Sequence, residues 1–287
     1  IITDKNLNDD NIEPAPKLIA AVLQNCKGHV DHWIQPYLIV TIDRLHRTEK
    51  PYLKCLLVQV IANALYYNAS LTLDTLHKLG VTTEIFNFWF ELLQVDKILI
   101  HHSNCRAHDK KVCCLGLTSL LGLLAEKLPQ DAFKSVFIAI LALLVSYKNQ
   151  ATENIAIGSL HTFSCFNLIF LIKAADDEDD RVDELDQEMR IDVEDGNRKE
   201  NGENDESDDD YCDDEDLQSP IDEVDPFIFF VETVQVIQAS DPARFHNFMG
   251  SLDLHNRTLA VCIDQHAEER RNRDGKGDSQ EQPQSGT

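Results

Sequence analysis

Apolar residues recur along most of this chain with the spacing of α-helices. The clearest run follows Pro51, where the apolar positions of Leu53–Leu65 advance in steps that place one broad stripe on a single helix face. Asn68 is predicted to end that helix. A shorter helix is predicted over Ser70–Leu79, with Gly80 as its stop signal.

The other apolar runs have the same period and are bounded by helix start or stop residues. Asp225-Pro226 and Asp241-Pro242 each combine an acidic cap with a proline at the first helical position, so each predicts a helix start. Asp109 is a further predicted N-cap. Helices are predicted over residues 16–26, 31–47, 83–95, 109–127, 129–147 and 252–271, in addition to those that begin at 226 and 242.

The predicted helix 109–127 differs from the rest because its apolar residues lie on nearly every side. Such a helix is expected to be sandwiched between neighbours, and close packing is the expected role of Gly116 and Gly122 within it. The chain shows no period-two alternation long enough to propose a strand. About ten helices joined by short turns favour an all-α helical-repeat solenoid of antiparallel helix pairs over a bundle.

A single acidic run interrupts this pattern. Residues 176–225 contain 26 Asp or Glu and four Lys or Arg, a net charge of −22 within a chain of −24. The run lacks the apolar surface needed to offset chain entropy, so it is predicted to be disordered. The predicted organisation is a linker (1–15), helical repeats (16–150), an atypical apolar insertion (151–175), the disordered acidic segment (176–225), C-terminal helices (226–271) and a disordered tail (272–287).

This charge distribution favours basic proteins as partners. A chain with a pI near 4.7 is a poor ligand for nucleic acid and membrane surfaces, because both are anionic. The eight cysteines are scattered without a CxxC pair, as is typical of a reducing compartment. The candidate residues for binding a basic partner are the densest acidic ones: Asp176, Asp177, Glu178, Asp179, Asp180, Asp208, Asp209, Asp210, Asp213, Asp214, Glu215 and Asp216.

Two stretches have competing interpretations. His101, His102, Cys105 and His108, with Cys113 and Cys114 nearby, offer zinc-type ligands, but their spacing matches no established pattern and a polar interhelical loop is favoured. Residues 154–172 are apolar enough to raise the question of a membrane helix. Their polar content and the acidic run that follows favour a buried or poorly ordered insertion instead.

Catalytic motifs are missing from the sequence. It contains no GxSxG elbow and no phosphate-binding glycine loop, and the acidic run lacks the fixed ligand spacing and central glycine of a calcium-binding EF-hand. The sequence therefore predicts a binding protein rather than an enzyme, without a metal or cofactor.

Three motifs together resemble the C-terminal part of importin-β-like transport receptors of the importin seven/eight kind, most of all their plant members. They are Ala64-Leu65-Tyr66-Tyr67-Asn68, the stretch from Asp109 to Leu117 (DKKVCCLGL), and the acidic run followed by Asp222-Glu223-Val224-Asp225-Pro226-Phe227. Residues 238–242 and 265–271 also resemble the sequences of these receptors. The resemblance implies a HEAT-repeat superhelix that carries cargo through nuclear pores and releases it on binding Ran-GTP.

The resemblance covers residues 15–150 and 215–271, and residues 154–172 have no recognised counterpart in it. The Ran-binding repeats of the family lie at its N-terminal end, which this sequence does not match. The absence of an initiator Met leads us to expect a piece of a longer protein or a processed one. Ran-GTP and Phe-Gly nucleoporins are therefore expected partners of the full-length receptor, which would shuttle between cytoplasm and nucleus.

The leading hypothesis is a cargo-binding fragment of an import receptor whose acidic segment attracts basic cargo such as histones or ribosomal proteins. The alternative is a helical scaffold or histone-chaperone-like binder that acts on basic proteins without transport.

Overall fold

Helices account for every α or β element in the residues that the structure describes. A computed structural model describes residues 8–94, 107–127, 130–153 and 219–277. All of them belong to one unit of the chain, formed by residues 1–162 and 219–287. A second unit, residues 163–218, lies outside the described residues.

A short 3-10 turn, Asp9–Asn11, precedes the first α-helix. The α-helices that follow in the described residues are α1 (Pro14–Asn25), α2 (Asp31–Leu45), α3 (Pro51–Leu79), α4 (Thr82–Gln94), α5 (Ala107–Lys127), α6 (Gln130–Glu153), α7 (Pro226–Ser240), α8 (Pro242–Ser251) and α9 (Leu254–Gly277). The predicted helices are thus confirmed in order. Three differ at an end: α6 continues six residues beyond Tyr147, α9 continues six residues beyond Arg271, and Asp109 lies inside the first turn of α5 rather than at its cap.

The odd-numbered helices stack in a row, α1 on α3, α3 on α5, α5 on α7 and α7 on α9. The even-numbered helices flank that row: α2 and α4 pack on α3, α6 packs on α5 and α9, and α8 packs on α7. Each helix therefore buries its apolar face against neighbouring helices of the array, which is how repeat proteins build a continuous core. The fold is the predicted all-α, HEAT-like helical-repeat solenoid.

Helix α5 is enclosed by three neighbours, as its pattern predicted. It packs against α3, α6 and α7, and every residue from Lys110 to Thr118 is buried. The closest approach is at Gly116, where a Cβ atom would lie 2.5 Å from the carbonyl oxygen of Ala62 on α3. Close packing is therefore confirmed for Gly116. It is wrong for Gly122, which is exposed and would place a Cβ in ordinary contact, 3.5 Å from Thr233 Cγ2.

The two predicted signals in α3 act as expected. Asn68 leaves helical geometry at φ −157° and ψ 93°, and its Oδ1 accepts a hydrogen bond from the Leu71 backbone N–H at 3.0 Å. Asn68 therefore ends one helical segment and caps the next within a single continuous element. Gly80 ends that second segment in the left-handed region, at φ 73°, and the N–H of Val81 bonds to the carbonyl of Leu76 at 3.2 Å.

Aspartates cap all three helices that follow the acidic segment. Asp225 Oδ1 accepts from the backbone N–H groups of Phe227 and Ile228 at 2.9 and 3.1 Å, and Asp241 Oδ1 accepts from Arg244 at 2.9 Å. Both predicted caps are confirmed. Asp253, which was not predicted, caps α9 by accepting from the N–H of Asn256 at 2.7 Å.

Three predicted boundaries lie in the wrong place. Residues 8–15 pack on the helices, because Ile12 is fully buried and the Asp9 carboxylate accepts hydrogen bonds from Thr48 and Arg44. Burial raises the pKa of Asp9, but those two hydrogen bonds, together with the positive charges of Arg44 and Lys50, hold the pKa below its ordinary value. Residues 219–225 also pack on the helices, and α9 continues to Gly277. In each case tertiary contacts order a stretch whose composition is polar.

Helix α3 has the length and composition of a membrane-spanning helix, but 72% of its apolar window is buried inside the protein. That burial is typical of a core helix in a helical array. The other apolar stretch considered for a membrane, residues 154–172, lies outside the described residues.

Replacing Gly116 with Ala is expected to destabilise the chain, because the new methyl group meets backbone atoms of α3 that cannot move aside cheaply. Overpacking of this kind costs about 1–3 kcal/mol. The matched control is Gly122→Ala in the same helix, which is expected to raise the free energy of unfolding by about 0.5–1 kcal/mol through lower backbone entropy. Urea denaturation of both variants measures the difference, and equal effects would contradict the close contact.

Candidate functional site

The candidate acidic residues for cargo binding all lie outside the described residues. They are the acidic residues within Asp176–Asp180 and within Asp208–Asp216. The structure instead describes the last seven residues of the acidic run. We name residues Ser219–Asp225 the anchor turn. It contains the last three acidic residues of the run, Asp222, Glu223 and Asp225.

The anchor turn is held by its own hydrogen bonds and by one apolar side chain. The Ser219 N–H donates to Asp222 Oδ2 at 2.8 Å, and the Asp222 N–H donates back to the Ser219 carbonyl at 2.8 Å. The Val224 N–H bonds to the carbonyl of Ile221 at 3.1 Å. Ile221 is 1% exposed, so it fixes the turn to the core.

A polar relay joins the anchor turn to α1 and α3. The Ser219 hydroxyl donates to Gln24 Oε1 at 2.7 Å, and Gln24 Nε2 donates to Asn63 Oδ1 at 2.8 Å. Asn63 Nδ2 in turn donates to the backbone carbonyl of Gln59 at 2.8 Å. Asn63 is 2% exposed, and these bonds satisfy its amide in the core.

Lys111 supplies the second attachment. Its Nζ donates to the backbone carbonyl of Asp222 at 2.9 Å, although the residue is buried. Burial lowers the pKa of Lys111, while the nearby carboxylates of Asp222 and Asp225 oppose that effect. On the outer side of the turn, His108 Nδ1 lies 3.3 Å from Asp222 Oδ1. The turn is therefore bound to the N-terminal end of α5 on two sides.

The third attachment lies at the start of α7. Asp225 divides its oxygens between two tasks, since Oδ1 caps α7 and Oδ2 pairs with Nε of Arg270 on α9. The Arg270 guanidinium also lies 5.5 Å from the ring centroid of Phe227, which is buried. One carboxylate thus fixes α9 against the first turn of α7.

An aromatic cluster lies beneath this ion pair. Phe227 meets His266 edge to face with centroids 4.6 Å apart, and Tyr147 lies 6.0 Å from the same ring. Burial raises the pKa of Tyr147. Burial, together with the charges of Lys148 and Arg270, lowers the pKa of His266 to about 4, so its imidazole is neutral in the folded chain.

The possible zinc ligands are not brought together in the described residues. His101, His102 and Cys105 lie outside them, and His108 faces Asp222. Cys113 and Cys114 are fully buried on α5, and burial raises the pKa of the Cys114 thiol. Within the part of the chain that the structure describes, no group of three or more potential ligands surrounds a metal position.

Comparison with known proteins shows which proteins this chain is similar to. No protein-family model and no solved structure matches the sequence. An importin beta-like SAD2 homolog of Arabidopsis thaliana is 43% identical over 282 residues, which cover 94% of this chain and 27% of that protein. A probable importin-7 homolog of Dictyostelium discoideum is 30% identical over 129 residues, and human importin-8 is 33% identical over 118 residues.

This chain is a sequence relative of the importin-β-like proteins of the importin-7/8 kind. It spans about a quarter of the Arabidopsis protein, and the matches to the Dictyostelium and human proteins cover 42% and 38% of the chain and 11% of each relative. The resemblance stated from the sequence motifs is therefore confirmed.

The motifs behind that resemblance meet at the anchor turn and at the first turn of α7 in this importin-7/8-like chain. Lys111 belongs to the second motif and Asp222 to the third, while Tyr66 of the first motif meets Phe229 edge to face at 5.9 Å. Arg270 and His266 belong to the stretch 265–271, which also resembles the family. Arg270 pairs with Asp225, and His266 packs on Phe227. Sequence reasoning missed Gln24, because a single glutamine on a helix gives no signal of a partner 195 residues away.

Replacing Asp225 separates its two tasks. Asp225→Asn retains an oxygen that caps α7 but loses the charge that pairs with Arg270, so it is expected to cost less than about 1 kcal/mol. Asp225→Ala loses both and is expected to cost about 1–2 kcal/mol in total. Urea denaturation measures both, with Asp241→Ala as an exposed cap control of about 1 kcal/mol. If Asp225→Asn lowered the free energy of unfolding as much as Asp225→Ala, the cap of α7 by this side chain would have no role in stability.

Stability is expected to fall on acidification because His266 is held neutral. Its folded pKa of about 4 lies below the unfolded value of 6.5, so its contribution is complete above pH 6.5 and is lost as the pH falls toward 4. The loss between about pH 7 and pH 5 should be on the order of 1–2 kcal/mol. His266→Phe, which retains the ring packing on Phe227, should flatten this part of the stability profile measured by thermal and urea unfolding. An unchanged profile would contradict the assignment.

Proposed function

We propose that this chain is the C-terminal part of a nuclear import receptor and that it contributes a helical-repeat surface and an acidic segment for basic cargo. The observation that carries the proposal is 43% identity to an importin beta-like protein across 94% of the chain. The all-α array agrees with it, because repeat proteins present extended surfaces for binding other proteins. The proposed role is binding rather than catalysis.

The acidic segment is the proposed attractor for cargo. Its charge of −22 within residues 176–225 exceeds that of all other residues combined, which sum to −2. Charges of this density speed the encounter with Lys- and Arg-rich proteins over the Debye length of about 8 Å at physiological salt. Histones and ribosomal proteins have the matching basic composition. The candidate contacts remain the acidic residues within Asp176–Asp180 and Asp208–Asp216.

The attachments of the segment support this role. The described residues before the acidic segment end with α6 at Glu153 and those after it begin at Ser219, where the anchor turn binds α1, α5 and, through Asp225, α9. Cargo captured by the segment would therefore be held close to the helical surface. Tethering of this kind raises the effective concentration of the cargo at that surface.

The remaining steps of transport are assigned to the whole receptor. Ran-GTP and Phe-Gly nucleoporins are its proposed partners, and it would shuttle between cytoplasm and nucleus. The alternative function is a helical scaffold or histone-chaperone-like binder without transport, which the same charge pattern supports. The two differ in one measurable property, because a receptor of this kind binds Phe-Gly repeats as a full-length protein and a simple chaperone does not.

Neutralising part of the acidic segment is expected to weaken cargo binding. Replacing Asp208, Asp209, Asp210, Asp213, Asp214, Glu215 and Asp216 with Asn or Gln should lower the affinity for a fluorescent Lys- and Arg-rich histone-tail peptide by roughly tenfold at low salt. At about 0.5 M salt the difference should nearly vanish, because screening removes the long-range attraction. Fluorescence anisotropy over a salt series measures both values.

The matched control neutralises seven exposed carboxylates outside the acidic segment, six on helices and one in the turn between α2 and α3. They are Glu49, Asp74, Glu84, Glu91, Asp264, Glu268 and Glu269. This variant has the same net charge as the test variant and should retain most of the binding. A variant with residues 176–218 in scrambled order should also bind normally, since an electrostatic attractor needs charge density rather than sequence. Equal loss in the test and control variants, or no loss at low salt, would contradict the proposal.

A further inference from the structure

The polar relay that ends at Ser219 has only one possible direction. The Gln59 carbonyl can only accept, so Asn63 must point its Nδ2 toward it. The Asn63 Oδ1 then faces Gln24 Nε2, and the Gln24 Oε1 is left facing Ser219. Ser219 must therefore donate its hydroxyl proton. The amide of Gln24 cannot turn to accommodate another group without placing two oxygens opposite each other at Asn63.

A phosphoryl group on Ser219 is incompatible with this arrangement. Phosphoserine carries about −1.5 to −2 charges at neutral pH and three acceptor oxygens, and it has no hydroxyl proton to donate to Gln24. The carboxylate of Asp222 lies next to it, with Oδ2 2.8 Å from the Ser219 N–H. Like charge and opposed acceptors would therefore both act against the closed anchor turn.

The surroundings of Ser219 are those of an acidic phosphorylation site. The residue is half-buried, the adjacent Pro220 is exposed, and carboxylates lie on both sides in the sequence, among them Asp216 and Asp222. A kinase with a basic substrate cleft complements such a sequence. We propose that Ser219 is the phosphoacceptor for an acid-directed Ser/Thr kinase and that its phosphorylation releases the anchor turn from α1.

The reaction is an ordinary phosphoryl transfer from Mg-ATP. The bond between Ser219 Oγ and the γ-phosphorus forms while the bond from that phosphorus to the bridging oxygen of ADP breaks. The hydroxyl proton passes to a base of the kinase, and ADP leaves. Because Oγ is engaged with Gln24 in the closed turn, the rate of modification depends on local opening of residues 219–224.

Release is confined to the first part of the anchor turn. Opening of the turn also has to break the bond from Lys111 to Asp222 and expose Ile221, whereas Asp225 is attached separately, through its cap of α7 and its pairing with Arg270, so the helices that follow remain in place. The acidic segment would gain the length of the released residues and the charge of the phosphate. Phosphorylation would thus alter where the polyanion is held without unfolding the helical array.

The test uses the full chain, a purified acid-directed Ser/Thr kinase and Mg-ATP, with site-resolved mass spectrometry. Ser207, which also lies among acidic residues, serves as an internal reference in the same molecule. Ser219 should be modified in the wild-type chain. Gln24→Ala, which removes the acceptor of the Ser219 hydroxyl, should speed modification of Ser219 severalfold and leave the rate at Ser207 unchanged.

Hydrogen exchange of the wild-type chain before and after modification provides a readout that needs no variant. The N–H groups of Asp222 and Val224 should exchange about tenfold faster after phosphorylation, whereas those within α7 should be unaffected. Ser219→Ala treated with the kinase is the control for phosphate on Ser207. Modification of Ser207 without Ser219, modification by a Pro-directed kinase alone, or unchanged exchange in the phosphorylated turn would each overturn the proposal.

Discussion

The enclosure of α5 is the constraint on which the described architecture depends. Its contact with α3 at Gly116 admits no side chain, and α6 and α7 cover its other sides. An enclosed helix still has to satisfy polar side chains near its end, and the buried ammonium of Lys111 requires an acceptor. Asp222 provides one from 111 residues further along the chain. The contact between Asp222, near the end of the acidic run, and α5 thus follows from the burial of α5.

The same attachments distinguish the inner end of the acidic run from the rest of it. Asp222 lies beside Lys111 and His108, and Asp225 pairs with Arg270, so the carboxylates at the inner end of the run meet basic partners. The cost of bringing a carboxylate to a packed surface is offset there by opposite charge and by the N–H groups of α7. Carboxylates further out in the run have few basic neighbours in sequence. In the proposed function, their charge attracts an external partner.

Helical periodicity and capping residues predicted the fold well, because both are local properties. Asp225, Asp241, Asn68 and Gly80 act within a few residues of their own positions and were identified correctly. Gly116 and Gly122 have similar local sequences, and only the approach of α3 distinguishes them. The boundaries failed where one apolar residue, Ile12 or Ile221, orders a polar stretch through tertiary contact. The contacts of the anchor turn were likewise beyond local reasoning, and the acidic candidates themselves lie outside the described residues.

In the proposed function, attraction and discrimination are separate tasks performed by different parts of the chain. A dense run of carboxylates increases the rate of encounter with any basic protein, but its interactions are screened and place few geometric demands on the partner. Discrimination requires fixed side chains, which the packed helices provide. The anchor turn connects the two because its bonds to α1, α5 and α9 hold one end of the polyanion at the helical surface. A weakly specific acidic segment can serve a selective receptor only when it holds the cargo at the surface whose side chains discriminate between cargoes.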